Sequence, residues 1–187
     1  MIITGPDCKP ANVNEQGHLE TEAITHSAEH YANHVPQKAY QVPFAVNPDA
    51  AGDCFFYIKN SDTQALTIEG FSYASSAAEE IYIEIANAGT AIRTSGEVLT
   101  PANLNAGSGH QADVTCWSNT GDGAVDITGL ETGREVDRLW IVAAADKTYH
   151  NFECDIIIPE NQVFTLWCVG GDTNIRGTVV FYFHAQD

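Results

Sequence analysis

Between residues 40 and 183 the apolar side chains come in short runs, many with a period of two. In Ile81-Tyr82-Ile83-Glu84-Ile85 the isoleucines take every second position, which puts them on one face of an extended strand. The run Gly177-Thr178-Val179-Val180-Phe181-Tyr182-Phe183-His184 is instead filled with β-branched and aromatic residues, the pattern of a central strand. Runs of these two kinds predict strands at Tyr40–Val46, Cys54–Lys59, Ala65–Tyr73, Glu80–Ala86, Glu97–Leu99, Asp113–Trp117, Ala124–Ile127, Asp137–Ala143, Phe152–Ile158, Val163–Val169 and Ile175–Phe183. The joints between them hold Asn60-Ser61-Asp62, Asn87-Ala88-Gly89, Asn119-Thr120-Gly121-Asp122-Gly123 and Gly170-Gly171-Asp172. These residues supply the left-handed backbone and side-chain-to-backbone bonds of tight turns. Many short strands and no long helical pattern predict an all-β, antiparallel sandwich or barrel, which leaves few open edges. Trp117, Trp140 and Trp167 each fall inside a predicted strand and are expected in the core or between sheets.

Residues 1–38 read differently. They are polar, contain Pro6, Pro10 and Pro36, and hold four of the seven histidines. They predict an extended N-terminal arm with one short helix near Thr25–Asn33, joined to a β-sandwich domain over 39–187. The arm has no wide apolar stripe of its own, so it is expected to rest on its own sandwich or on a neighbouring subunit.

Charge narrows the function. Among 187 residues, 8 Lys+Arg face 25 Asp+Glu, a formal net charge of −17. Such a surface repels nucleic acid and an anionic membrane leaflet. The longest apolar run, Leu139–Ala145, is strand-sized and far short of a membrane span. The N-terminal residues show no basic start and no apolar signal-peptide core. With that reading, the five cysteines at irregular spacing are expected as reduced, buried thiols rather than disulfides.

Candidate chemistry is sparse. His26, His30 and His34 would line one face of a helix, but the H-E-x-x-H register is absent and no metal site is expected. Asn119, Asp122, Asp126, Asp172 and Asn174 place oxygens on loops, and turn geometry accounts for them without calcium. There is no G-x-S-x-G, no P-loop and no dinucleotide fingerprint. The chain is therefore expected to be no enzyme and to use no cofactor. A cupin-like metalloenzyme would need histidines on inward-facing strand positions, whereas His110, His150 and His184 fall in a loop, a turn and the C-terminal end.

Several segments resemble a family of tailed-bacteriophage head proteins, the capsid decoration or cement proteins. They are Val13–Leu19 with Ala23-Ile24-Thr25, then Tyr57-Ile58-Lys59-Asn60, Thr100-Pro101-Ala102-Asn103-Leu104-Asn105-Ala106-Gly107-Ser108-Gly109, and Ile156-Ile157-Ile158-Pro159-Glu160-Asn161. The resemblance implies a jelly-roll sandwich, a homotrimer, the major capsid protein as partner, and a place on the outer surface of a virion assembled in the host cytoplasm. It implies an arm that reaches over a neighbour. The residues expected to make that contact are His18, Leu19, His26, His30, Tyr31, His34, Val35 and Tyr40, with Tyr31, Val35 and Tyr40 as apolar anchors. The rival reading is a carbohydrate- or receptor-binding sandwich, which an exposed tryptophan beside acidic residues would favour.

Overall fold

The computed structural model describes residues 28–87, 92–93, 96–119, 127–128, 134–142, 147–171 and 173–183. A short helix, α1 (Ala28–His34), precedes the strands β1 (Ala39–Val46), β2 (Cys54–Asn60), β3 (Leu66–Ser75) and β4 (Glu79–Asn87). Then come β5 (Ile92–Arg93), β6 (Glu97–Leu99), β7 (Ala102–Asn103), β8 (Val114–Ser118) and β9 (Ile127–Thr128). The chain closes with β10 (Arg134–Ile141), β11 (Thr148–Ile158), β12 (Gln162–Cys168) and β13 (Ile175–Phe183).

Two antiparallel sheets pack face to face. One has five strands in the order β11-β3-β13-β1-β7, the other six in the order β10-β4-β12-β2-β8-β6, and β5 pairs separately with β9. The eight long strands set the wiring: β1-β13-β3-β11 on one side and β2-β12-β4-β10 on the other. The chain crosses between the layers at nearly every connection, which is the double Greek key of a jelly roll. The insertion between β4 and β10 extends the edges, with β7 beside β1 and β8 and β6 beside β2. Beyond Gln41 the outer side of β1 has no partner strand among the described residues, and Pro43 stands there, where a missing N–H costs no ladder bond.

The alternation read from the sequence sorts the side chains. On β1, Val42, Phe44 and Val46 turn inward while Gln41, Pro43 and Ala45 face out. Phe56, Ile58, Leu66, Ile68, Phe71, Ile81, Ile83, Phe164, Leu166 and Phe181 are all fully buried between the sheets. Each such side chain contributes about 1.5–3 kcal/mol. The rings interlock, Tyr40 stacking on Phe181 at 5.5 Å and Phe44 tilting against Phe56 at 5.4 Å between centroids.

Two segments singled out by the resemblance meet at one corner. The Asn60 side-chain amide donates to the carbonyls of Gln64 (2.8 Å) and Ile158 (2.9 Å), and the Asn161 N–H donates to the Asn60 carbonyl at 2.9 Å. Asn161, at φ 60°, makes the left-handed turn that starts β12. Both segments serve the fold at this corner, tying the five-stranded to the six-stranded sheet.

The tryptophans depart from expectation. Trp140 is 68% exposed, because β10 is an edge strand whose alternation turns Leu139 and Ile141 inward and Trp140 out. Trp117 and Trp167 are half-buried on the outer face of the six-stranded sheet. Trp117 packs on Tyr57 at 4.8 Å, and Trp167 stacks on Tyr82 at 5.8 Å and donates to Thr165 Oγ1 at 2.7 Å. Cys54, Cys116 and Cys168 are buried free thiols. Burial pushes Cys54 and Cys116 well up and Cys168 to about 11, so all three stay protonated and unreactive at neutral pH.

On that same outer face Glu135 and Glu84 stand directly opposite each other. Arg138 grips Glu135 through two bonds of 2.7 and 2.6 Å and reaches Glu80 at 2.9 Å, which holds the Glu135 carboxyl below its usual range. Partial burial, and behind it the facing Glu135 charge, push Glu84 up. The folded chain therefore binds the Glu84 proton more tightly than the unfolded chain does. Stability is lost as pH rises through the window between the two values. Glu84→Gln is expected to stabilise at pH 7 by less than about 1 kcal/mol, since the site is half-exposed, and to be neutral at pH 3. Urea unfolding at both pH values checks this, and an equal effect at both would contradict it.

Candidate interaction surface

Helix α1 has seven residues, too few to persist without packing. Ala32 provides it, buried with Ala39 and Tyr182 on the outer face of the five-stranded sheet. The Lys38 N–H donates to the Ala32 carbonyl at 2.8 Å, and Gln37, at φ 55°, turns the chain out of the helix into β1. The described end of the arm therefore rests on its own sandwich.

A clasp holds it there. The Asn105 side-chain amide donates to the Asn33 carbonyl at 3.2 Å, Asn103 donates to the Gln37 carbonyl at 2.8 Å, and the Ser108 hydroxyl reaches the same carbonyl at 3.3 Å. The clasp is itself stiffened: Asn103 Oδ1 accepts from the Asn105 N–H at 2.8 Å, and Asn105 Oδ1 accepts from the Gly107 N–H at 3.1 Å. Carbonyls that the helix end leaves unpaired thus find side-chain donors. Nothing local in the Asn/Gly-rich segment 100–109 says which carbonyls its amides reach.

Of the residues expected to touch a partner, His30, Tyr31, His34 and Val35 are exposed on and just after α1, Tyr31 by 52% and Val35 by 64%. Leu104, on the clasp, is 40% exposed. Tyr40 is corrected: it is 1% exposed and stacked in the core, because β1 begins at Ala39 and its alternation turns residue 40 inward. It cannot touch a partner without opening the sandwich. His18, Leu19 and His26 lie outside the described residues.

The other candidates separate. The rings of His30 and His34 lie 5.2 Å apart, yet among the described residues no group of three His, Cys, Asp or Glu gathers as a metal site. Asp122, Asp126, Asp172 and His184 lie outside the described residues. Asn174 serves a turn, its carbonyl accepting from the Ser76 N–H at 3.0 Å. His150, expected in a turn, stands on β11, where it pairs with Asp137 of β10 at 2.8 Å and packs edge-on against Phe152 at 5.1 Å. It links the two sheets at their common edge. A cleft of about 350 Å³ at the end of the sandwich has aliphatic walls, Ile85, Ile157 and Ile158, with Arg134 at its side. No helix among the described residues is long and apolar enough to cross a membrane. Compared with protein-family models, with curated proteins and with solved structures, the chain matches none.

Proposed function

We propose that this protein is a capsid decoration, or cement, module that binds the outer surface of a tailed-phage head, with the major capsid protein as partner and a homotrimer as the working unit. One observation carries the reading: the arm's helix is clasped to its own sandwich while Tyr31 and Val35, with Leu104 on the clasp, stay exposed. Apolar side chains held on a fixed support lose little entropy on docking. Many copies repeated around a symmetric shell add avidity. The acidic surface, with net charge −17, suits the outside of a DNA-filled particle better than its inside.

Replacing both anchors, Tyr31→Ser with Val35→Ser, is expected to leave the fold intact and to weaken binding to undecorated heads by at least about 30-fold, from about 1 kcal/mol or more per anchor. Cosedimentation with purified heads measures it, and unchanged binding would remove the proposal. A second reading, a carbohydrate-binding sandwich, draws on Trp140, which is 68% exposed and stands opposite Glu80. Glycan screening of the same preparation tests this reading, which does not exclude the first.

A further inference from the structure

We propose that the outer face of the five-stranded sheet carries a saccharide subsite for a sugar ring with an acidic substituent. The inference rests on the carbohydrate reading and gives it a place and a ligand class. Two adjacent rows of the sheet form the floor. One row runs from Thr178 through Ser72 to Tyr149, and the next from Gln41 through Val180 to Gly70. With Lys147 they bound a groove of about 360 Å³, at the low end of the about 300–1,000 Å³ that ligand pockets occupy.

Three features point to a ligand. A Cβ at Gly70 would lie 2.3 Å from the His150 carbonyl oxygen and 2.9 Å from the Tyr149 hydroxyl. The missing side chain thus lets the phenol lie across the sheet, with the residue still 47% exposed. Aromatic rings held in this way take the C–H face of a sugar. Ser72 is 4% exposed and its hydroxyl has no hydrogen-bond partner. Such a group costs about 1–3 kcal/mol until something completes it, and Ser72 is one of the residues that line the groove. The third feature is charge. In a chain of net charge −17, Lys147 is the one charged side chain among the described residues that line this groove. Gln41 and Thr178 add neutral donors and acceptors. A polyhydroxyl ring carrying a carboxylate offers a partner to the Ser72 hydroxyl, an apolar face to the Tyr149 ring and a counter-charge to the Lys147 ammonium.

The test is a titration of the isotope-labelled full chain with a hexuronic-acid trisaccharide and with its neutral hexose counterpart, followed by amide chemical shifts. The acidic sugar is expected to bind, with shifts centred on Gln41, Ser72, Tyr149 and Thr178. Tyr149→Ala lowers its affinity at least tenfold, and Lys147→Gln brings it down to that of the neutral sugar. Ser72→Ala weakens binding while leaving the thermal midpoint unchanged or higher, which loss of a merely structural hydroxyl bond would not do. Shifts centred on Trp140 and β10 would overturn the subsite and keep the carbohydrate reading. No shifts with either sugar would overturn both. Equal affinities, indifferent to Lys147→Gln, would overturn the acidic ligand class.

Discussion

Gly177→Ala is expected to destabilise the sandwich by about 4 kcal/mol, enough to leave much of the chain unfolded or insoluble at 37 °C. Gly177 is the third residue of β13, paired with Phe44 on one side and Tyr73 on the other. A Cβ built there would fall 2.0 Å from the Ser72 carbonyl oxygen and 2.5 Å from Phe44 Cζ. The first obstacle is backbone of the neighbouring strand, so relief requires β3 to move as a unit. The second is a ring wedged against Phe55 and Phe56 at 5.8 and 5.4 Å, in a core with no slack for it. Phe44→Leu in the same chain frees the second contact and not the first, so the double variant is expected to recover only part of the loss. Gly109→Ala is the control: nothing lies within 4 Å of its added Cβ, and its effect is expected within about 0.5 kcal/mol of zero. Urea denaturation of the four proteins measures all of this, and a Gly177→Ala variant as stable as the parent would contradict the packing described here.

The strands were legible because burying one face imprints a period of two. The expected run at Cys54–Lys59 became β2 (Cys54–Asn60), and the run at Ile175–Phe183 became β13 unchanged. What two residues of β5 or β7 carry is too little pattern to see, and both are pairings imposed by neighbours. Two aromatics stand elsewhere than expected. Tyr40, expected both to open a strand and to anchor the arm's contact, is turned inward by the alternation within β1. Trp140 sits in an apolar run that looks buried throughout, and only the strand order, with β10 at an edge, exposes it. The clasp of Asn103 and Asn105 on the helix end and the groove beside Tyr149 join residues far apart along the chain. No local signal encodes such contacts. The helix was anticipated over Thr25–Asn33 and runs from Ala28 to His34 among the described residues. Pro36 and the left-handed Gln37 set where it stops.

An acidic composition hides which carboxylates do structural work, and Glu79 is one that does. It is 4% exposed. Its Oε1 accepts the Gly170 N–H at 2.7 Å and the Glu80 N–H at 2.8 Å, so one oxygen ties the start of β4 to the turn after β12. Residue 170 is held so close that a Cβ there would be 3.1 Å from that oxygen. Glu79→Ala takes the acceptor from two part-buried backbone donors and opens a void where the carboxylate was buried. Bonds to a charged acceptor contribute about 1.5–3 kcal/mol; since water can reach the exposed Gly170 N–H, a loss of about 2–3 kcal/mol is expected for the pair. Glu79→Gln keeps an oxygen in place but adds a buried amide donor and removes the charge, so its loss should be smaller, about 1–2 kcal/mol. Since the Glu79 charge also helps hold the Cys168 thiol up, Glu79→Gln should lower the pH at which that thiol begins to alkylate. Chemical denaturation ranks the three proteins, and an alkylation profile against pH reads the thiol. If Glu79→Ala unfolds at the same urea concentration as the parent, the turn is held by other contacts and the carboxylate is a bystander.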